Sequence, residues 1–236
     1  MSLAILVAAS LTLQVPTIED VCESGLKSVT FSAVVGTSKQ SELRKINSDF
    51  ARSYRFKRTD VWLKVPFMIR LESKVDDSDI LMIINGTKRK LRIPRAGLSR
   101  TFDLKDEPGQ RQTALDFGLI TPALFKSFFV GTYVRTDRRT GEYVFDITYN
   151  PKYNYRARNR VWIDPEKKIV AKRQWYAHKD GHLLATFEYL DPIQQGGVWF
   201  STKVTVKNAD NKVAGTTTYS NVKLNIDIDD KLFDVG

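Results

Sequence analysis

From Val29 to the end of the chain the dominant signal is alternation of apolar and polar residues with a period of two, broken at short intervals by turn chemistry. That pattern predicts a protein that is mainly β. The clearest predicted strand is Val61 to Leu71. Its odd positions Val61, Leu63, Val65, Phe67, Ile69 and Leu71 are all apolar, whereas Lys64 and Arg70 fall on the opposite face. Pro66 cannot donate to a ladder, so this strand is expected to be bulged or at an edge there. Ile80 to Ile84 follows, and Asn85-Gly86 predicts a hairpin turn.

The second half repeats the pattern. Phe145, Ile147 and Tyr149 share a face, as do Val161 and Ile163. Leu183, Ala185, Phe187 and Tyr189 alternate, then Val198, Phe200, Thr202, Val204 and Val206, then Val222, Leu224 and Ile226. Asp164-Pro165, Lys179-Asp-Gly181 and Asp210-Asn211 supply the breaks. Five successive strands with short connections form a meander, and a single antiparallel sheet with one apolar face must curl or be covered.

Helix signals are few. Thr17-Ile-Glu-Asp20 resembles a capping box and predicts a helix to about Leu26. Thr121-Pro122 predicts another over Ala123 to Phe129, with Phe125, Phe128 and Phe129 on a wide apolar face. Between Glu42 and Phe56 the pattern favours a loop or short helix and then a strand from about Phe50. The expected class is thus mainly β with a few short helices (α+β), in one domain over residues 14–236. Residues 1–13 are apolar and uncharged but too short to span a bilayer, which fits a signal peptide or its remnant as well as an amphipathic first element.

Chemistry is not advertised. The chain has a single Cys22 and two His, and it shows no phosphate-binding glycine loop, nucleophile elbow or metalloprotease pattern. His178 and His182 flank a turn, and Asp76, Asp77 and Asp79 lack the ordered spacing and distal Glu of a calcium loop. No enzyme, no metal and no cofactor is expected. The net charge of +10 is spread over both halves. Two basic clusters stand out, at 88–100 and 152–173, each of which reads either as the wet face of strands or as a surface for an anionic membrane or acidic partner. Tyr153, Tyr155 and Trp162 lie within the second, but no recognised nucleic-acid motif accompanies them, so nucleic acid is not an expected partner.

The order Trp62-Leu-Lys-Val-Pro66, Ile84-Asn-Gly86, Val161-Trp-Ile-Asp-Pro165, the Lys179-Asp-Gly181 hairpin and the closing Val222-Lys-Leu-Asn225 with Asp229-Asp230 and Leu232-Phe233 resembles the LolA family of periplasmic lipoprotein carriers and outer-membrane lipoprotein-sorting proteins. The resemblance implies an incomplete antiparallel β-barrel of about eleven strands, a highly curled sheet with lid helices over a concave apolar face. It also implies a non-enzymatic, monomeric carrier in the periplasm or cell envelope that holds the acyl chains of a lipid or lipoprotein. The alternative is a regulatory or sensor module of the same fold. Candidate ligand-binding residues are Leu63, Val65, Phe67, Ile69 and Leu71, then Phe145 and Ile147, then Val204 and Val206, with Leu124, Phe125 and Phe128 as lid. From periodicity alone, the same residues could instead complete a dry core.

Two departures from the family pattern matter. The family's carriers place a basic residue immediately before the strand proline, where it helps latch the lid; here that position is Val65. A latch through Lys64 or Arg70 would need the chain at Pro66 to re-aim them. The sequence also runs only a few residues beyond Phe233, so no C-terminal extension holding cargo from the membrane is expected.

Overall fold

A computed structural model describes residues 15–75 and 77–236; the candidate leader at 1–13 and Asp76 lie outside the described residues. Among the described residues, thirteen strands form one antiparallel sheet. In chain order they are β1 (Ser28–Ser38), β2 (Arg58–Lys64), β3 (Met68–Val75), β4 (Ser78–Asn85), β5 (Lys88–Ile93), β6 (Leu98–Asp103), β7 (Phe129–Thr136), β8 (Tyr143–Tyr149), β9 (Arg158–Asp164), β10 (Ile169–Tyr176), β11 (Leu183–Gln195), β12 (Val198–Asn208) and β13 (Val213–Leu224). Their spatial order is β6-β5-β4-β3-β2-β1-β13-β12-β11-β10-β9-β8-β7. Two meanders are therefore joined by the pairing of β1 with β13, and the sheet curls without closing. Its free edges, β6 and β7, are consecutive in sequence, so the segment between them, residues 104–128, runs from one edge to the other as a strap across the concave face.

The Val61–Leu71 run is two strands rather than one. The chain reverses at Val65-Pro66-Phe67, where Pro66 interrupts the ladder, and β2 pairs with β3 as a hairpin. Because Leu63 then faces Ile69 and Val61 faces Leu71, odd positions stay on one side across the reversal. Alternation thus assigned the correct face while missing the turn.

The short helices also differ from expectation. Only half of the Thr17 box forms, Asp20 Oδ2 accepting from Thr17 N–H and Oγ1–H at 2.8 Å each; the helix is reduced to a 3-10 turn at Glu19–Val21, whose N-cap, Ile18, makes no side-chain cap bond. The chain then extends because the Glu23 N–H is taken by the Ile120 carbonyl of the strap at 2.9 Å. Instead of a strand from Phe50 there are two helices, α1 (Gln40–Ile46) and α2 (Ser48–Ser53), with the Asn47 side chain capping α2 through the Phe50 N–H at 2.6 Å. This pair closes one end of the sheet. Phe50 meets the Phe187 ring edge-on at 5.8 Å, and Tyr54 lies directly on Gly215, where any Cβ would collide with its ring.

The predicted helix after Thr121 is a single turn, α3 (Pro122–Phe125), since Phe129 already opens β7. Within the strap, Leu115, Leu119, Ile120 and Leu124 are buried against the sheet, each contributing roughly 2 kcal/mol. A capping box between Thr113 and Asp116 turns the strap, and Gly118, at φ +78°, ends that turn with its Cα against the Tyr189 ring.

A second, smaller core lies on the outer face. There Ile83, Ile228 and Phe233 are buried with Trp62, Met68 and Leu81 beneath the C-terminal segment. Lys64 Nζ donates to the Ile228 carbonyl at 3.0 Å and pairs with Asp230, while Arg70 Nη1 donates to the Leu232 carbonyl at 2.9 Å.

Gly118→Ala is expected to cost more than Gly97→Ala. Both glycines have positive φ, worth about 1–2 kcal/mol for any other residue, but a Cβ at Gly118 lands 2.7 Å from Tyr189, whereas at Gly97 it meets nothing within 4 Å. Urea unfolding checks this, and equal losses at the two sites would show that the strap does not press on β11.

Candidate ligand site

The concave face is apolar by register. One cross-strand row reads Phe145, Val161, Arg173, Phe187, Val206 and Gly215 from β8 to β13. Arg173 is the single charge in that row, and it is 6% exposed. Its Nη1 donates to Asp116 Oδ1 of the strap at 2.9 Å, and its guanidinium lies 4.2 Å over the Phe187 ring. The strap adds a backbone bond here, from the Val170 N–H to the Gly118 carbonyl at 3.2 Å. The strap is thus tied to β10 by one ion pair and one main-chain bond, and to the N-terminal turn through Ile120.

Beside this anchor is an open cavity of about 400 Å³, lined by α2, the first half of the strap and strands β7 to β11. Phe117, Phe129, Tyr149, Trp175 and Phe187 give it apolar walls, and Arg111, Gln112, Asn159 and Arg173 give it polar ones. Arg111 is 7% exposed, with its guanidinium 4.6 Å over the Phe67 ring and 4.5 Å over that of Phe128. Burial lowers the pKa of Arg111. Burial acts in the same direction on Arg173, but there Tyr189 and Asp116 outweigh it and the net shift is upward. Burial also pushes the Tyr189 phenol up to about 12 and the Cys22 thiol up to about 12, leaving both neutral and Cys22 unreactive.

Comparison with solved structures follows this geometry. A DUF1329 family protein from Desulfovibrio piger superposes with a TM-score of 0.63 at 10% identity, covering 92% of each chain. A LolA superfamily protein from Nitrosomonas europaea gives 0.60 at 18%, over 92% of this chain and 94% of that one. The chain has a LolA-like fold. A domain from Vibrio parahaemolyticus described as a putative outer-membrane lipoprotein-sorting protein gives 0.59 at 12%, over 92% and 93% of the two chains. A protein-family profile described as an uncharacterized protein matches residues 125–236, and no curated protein matches. This LolA-like sheet has thirteen strands where the resemblance implied about eleven.

The predicted lining residues converge in this LolA-like fold. Leu63, Ile69, Leu124, Phe128, Phe145, Ile147, Val204 and Val206 are buried in one cluster, and Val65, Phe67, Leu71 and Phe125 pack against it. They touch one another and the strap, and none of them borders the 400 Å³ cavity. The lid latch does not involve Lys64 or Arg70, which hold the C-terminal segment on the outer face; Arg173, from the other half of the sheet, meets the strap instead. Sequence reading missed Arg111, Asp116, Asn159 and Arg173. The available signal was Arg173 at an inward position between Val161 and Phe187, visible only once strand register is known.

The basic cluster at 88–100 lies on β5 and β6 at one edge of the sheet, with Lys88, Lys90 and Arg92 on one face and Arg89 on the other, where its guanidinium lies over Phe102. The cluster at 152–173 does not form one exposed patch. Arg158 and Arg160 both bond Asp146 on β8, Lys167 bonds Asp164, Lys172 lies 3.6 Å over the Trp162 ring, and Arg173 points inward. His178 stacks on Tyr155 and accepts from the Arg156 N–H at 2.8 Å, and His182 bonds Asp180. No helix among the described residues is long and apolar enough to cross a membrane.

Asp116→Asn is expected to destabilise the protein by about 3 kcal/mol, because it leaves the buried Arg173 without its counter-charge. Hydrogen exchange should show the Val170 amide losing protection before the central strands. Uniform loss across the sheet would mean that the strap and sheet unfold as one unit.

Proposed function

We propose that this protein is a non-enzymatic acyl-chain binding protein of the bacterial envelope, a periplasmic carrier or sorting factor that receives a lipid or lipoprotein chain on the concave face beneath the strap. The observation that carries this reading is the apolar inner wall of a sheet that never closes, crossed by a strap with few polar ties. Magnitudes favour exchange. Displacing Leu115, Leu119, Ile120 and Leu124 forfeits roughly 8 kcal/mol of burial, and about ten methylenes at about 0.8 kcal/mol each restore it. An acyl chain can therefore replace that part of the strap on the same sheet residues, Leu63, Ile69, Phe145, Ile147, Val204 and Val206, with Val65, Phe67 and Leu71 at the margin and Phe125 and Phe128 of the strap as its lid. The lipoprotein-sorting domain and LolA superfamily protein among the structural neighbours are consistent with this role and with an envelope location.

A fluorescent fatty acid titrated into the protein is expected to bind, and Leu63→Arg or Phe125→Asp to weaken it at least tenfold. Phe125 is only half-buried, so the second variant is the one expected to keep the fold. Unchanged affinity in a folded variant would sink the assignment of the concave face. The exposed cluster at 88–100 is the part of the surface proposed to meet an anionic membrane. Retention on vesicles containing phosphatidylglycerol should vanish by moderate salt. Equal retention on neutral vesicles would argue against that surface.

A further inference from the structure

The 400 Å³ cavity is polar where an acyl-chain site should be dry. Four buried atoms around it have no hydrogen-bond partner: Arg111 Nε, Arg173 Nε, Gln112 Oε1 and Asn159 Oδ1. Buried polar atoms are normally satisfied, so four on side chains that line one cavity mark a polar wall short of partners. The charge balance identifies the sign of the group that fits it. Of the two carboxylates on the wall, Asp116 is taken up by Arg173 and by the Thr113 N–H at 2.9 Å, and Asp49 lies at the exposed rim against Arg52. Arg111 forms no ion pair among the described residues, and burial, the largest influence on it, opposes its charge. A guanidinium does not deprotonate in a protein, so a permanent cation is held in an apolar setting against two phenyl faces, Phe67 and Phe128.

We infer that Arg111, with Arg173 Nε, Gln112 and Asn159, forms the head-group site for an anionic acyl amphiphile, whose carboxylate or phosphate sits in this cavity. This rests on the acyl-chain reading above and adds a chemical class to it. The geometry supports the continuity it requires. The Arg111 guanidinium borders the cavity while stacking on Phe67 and Phe128, which belong to the apolar cluster, so an anion on Arg111 leads its chain directly onto the concave face. A carboxylate or phosphate matches the planar fork of the guanidinium, and such charge-assisted bonds are about twice as strong as neutral ones. Gln112 and Asn159 then accept from hydroxyl or amide groups of the head.

The full chain and its Arg111→Met and Arg111→Lys variants are titrated with oleate, oleyl alcohol and inorganic phosphate, each in competition with a fluorescent fatty acid ester. The full chain is expected to bind oleate at least tenfold more tightly than oleyl alcohol. Arg111→Met should abolish that preference while leaving oleyl alcohol unchanged, and Arg111→Lys should restore part of it. Thermal unfolding supplies a readout that a structural role would not share: removing an unpaired buried charge should leave the Tm of the empty protein unchanged or raise it. If neither amphiphile binds, the acyl-chain reading itself fails. If both bind equally to the full chain, or Arg111→Met keeps the preference, the acyl-chain reading stands and the head-group assignment is overturned. Inorganic phosphate displacing the probe as well as oleate does would also overturn it, because the site would then recognise a free anion rather than an amphiphile. A lowered Tm for Arg111→Met with an unchanged preference would make Arg111 a packing residue.

Discussion

The structure depends on one topological constraint: the two unpaired edges of the sheet are neighbours in sequence. A curled antiparallel sheet of thirteen strands could bury its inner face by closing into a barrel, but β6 and β7 do not pair. The segment 104–128 joins them, and it must cross the opening because its ends are fixed on opposite rims. Linking the two edges and covering the middle of the concave face are therefore the same task, performed by one segment, while the N-terminal turn and the α1–α2 pair cover the rest. The strap's composition fits both: Leu115, Leu119, Ile120 and Leu124 for burial, and Gly118 and Pro122 where it must turn.

That constraint explains why charge enters the interior. A strap held only by apolar contacts could slide along a greasy surface, since burial is not directional. The Arg173–Asp116 pair fixes its register at one point, and the Gly118 carbonyl on the Val170 amide fixes its orientation. Arg111 is different in kind. It travels with the strap yet has no carboxylate, so it adds a desolvation cost that the closed state does not recover. The strap is consequently less stable than its apolar content would allow, which is a property suited to a segment that yields to a ligand.

Much of this was legible from the residues. Period-two alternation identified the sheet, the second meander and the inward faces, and it did so even where the strand boundaries were misread. Val61–Leu71 shows why: a tight hairpin keeps odd residues on one side, so the facing of Leu63 and Ile69 survives either interpretation. Phe50 and Tyr54 misled because both periods place them inward, and the capping bond from Asn47 to the Phe50 amide decides for helix. The polar site was not legible. Arg173 and Asp116 are separated by 57 positions, and Arg111 reaches Phe67 and Phe128 from a segment without periodicity. Contacts of that range follow from how the strap crosses the sheet rather than from any local pattern.

The outer face completes the argument. Ile80 to Ile84 is five apolar residues in a row, which alternation alone cannot explain in a sheet with one wet side. In β4, Ile84 points into the main core while Ile83 is buried on the other side beneath Ile228 and Phe233. A continuous apolar run is what a strand covered on both faces requires. Lys64 and Arg70, which alternation put opposite the cavity, secure the segment that supplies this second cover. The tail and the strap thus pack on opposite sides of the same strands, in separate clusters. Movement of the strap would leave the outer core intact, and β2 to β4 would remain a fixed wall against which a ligand or the strap can be exchanged.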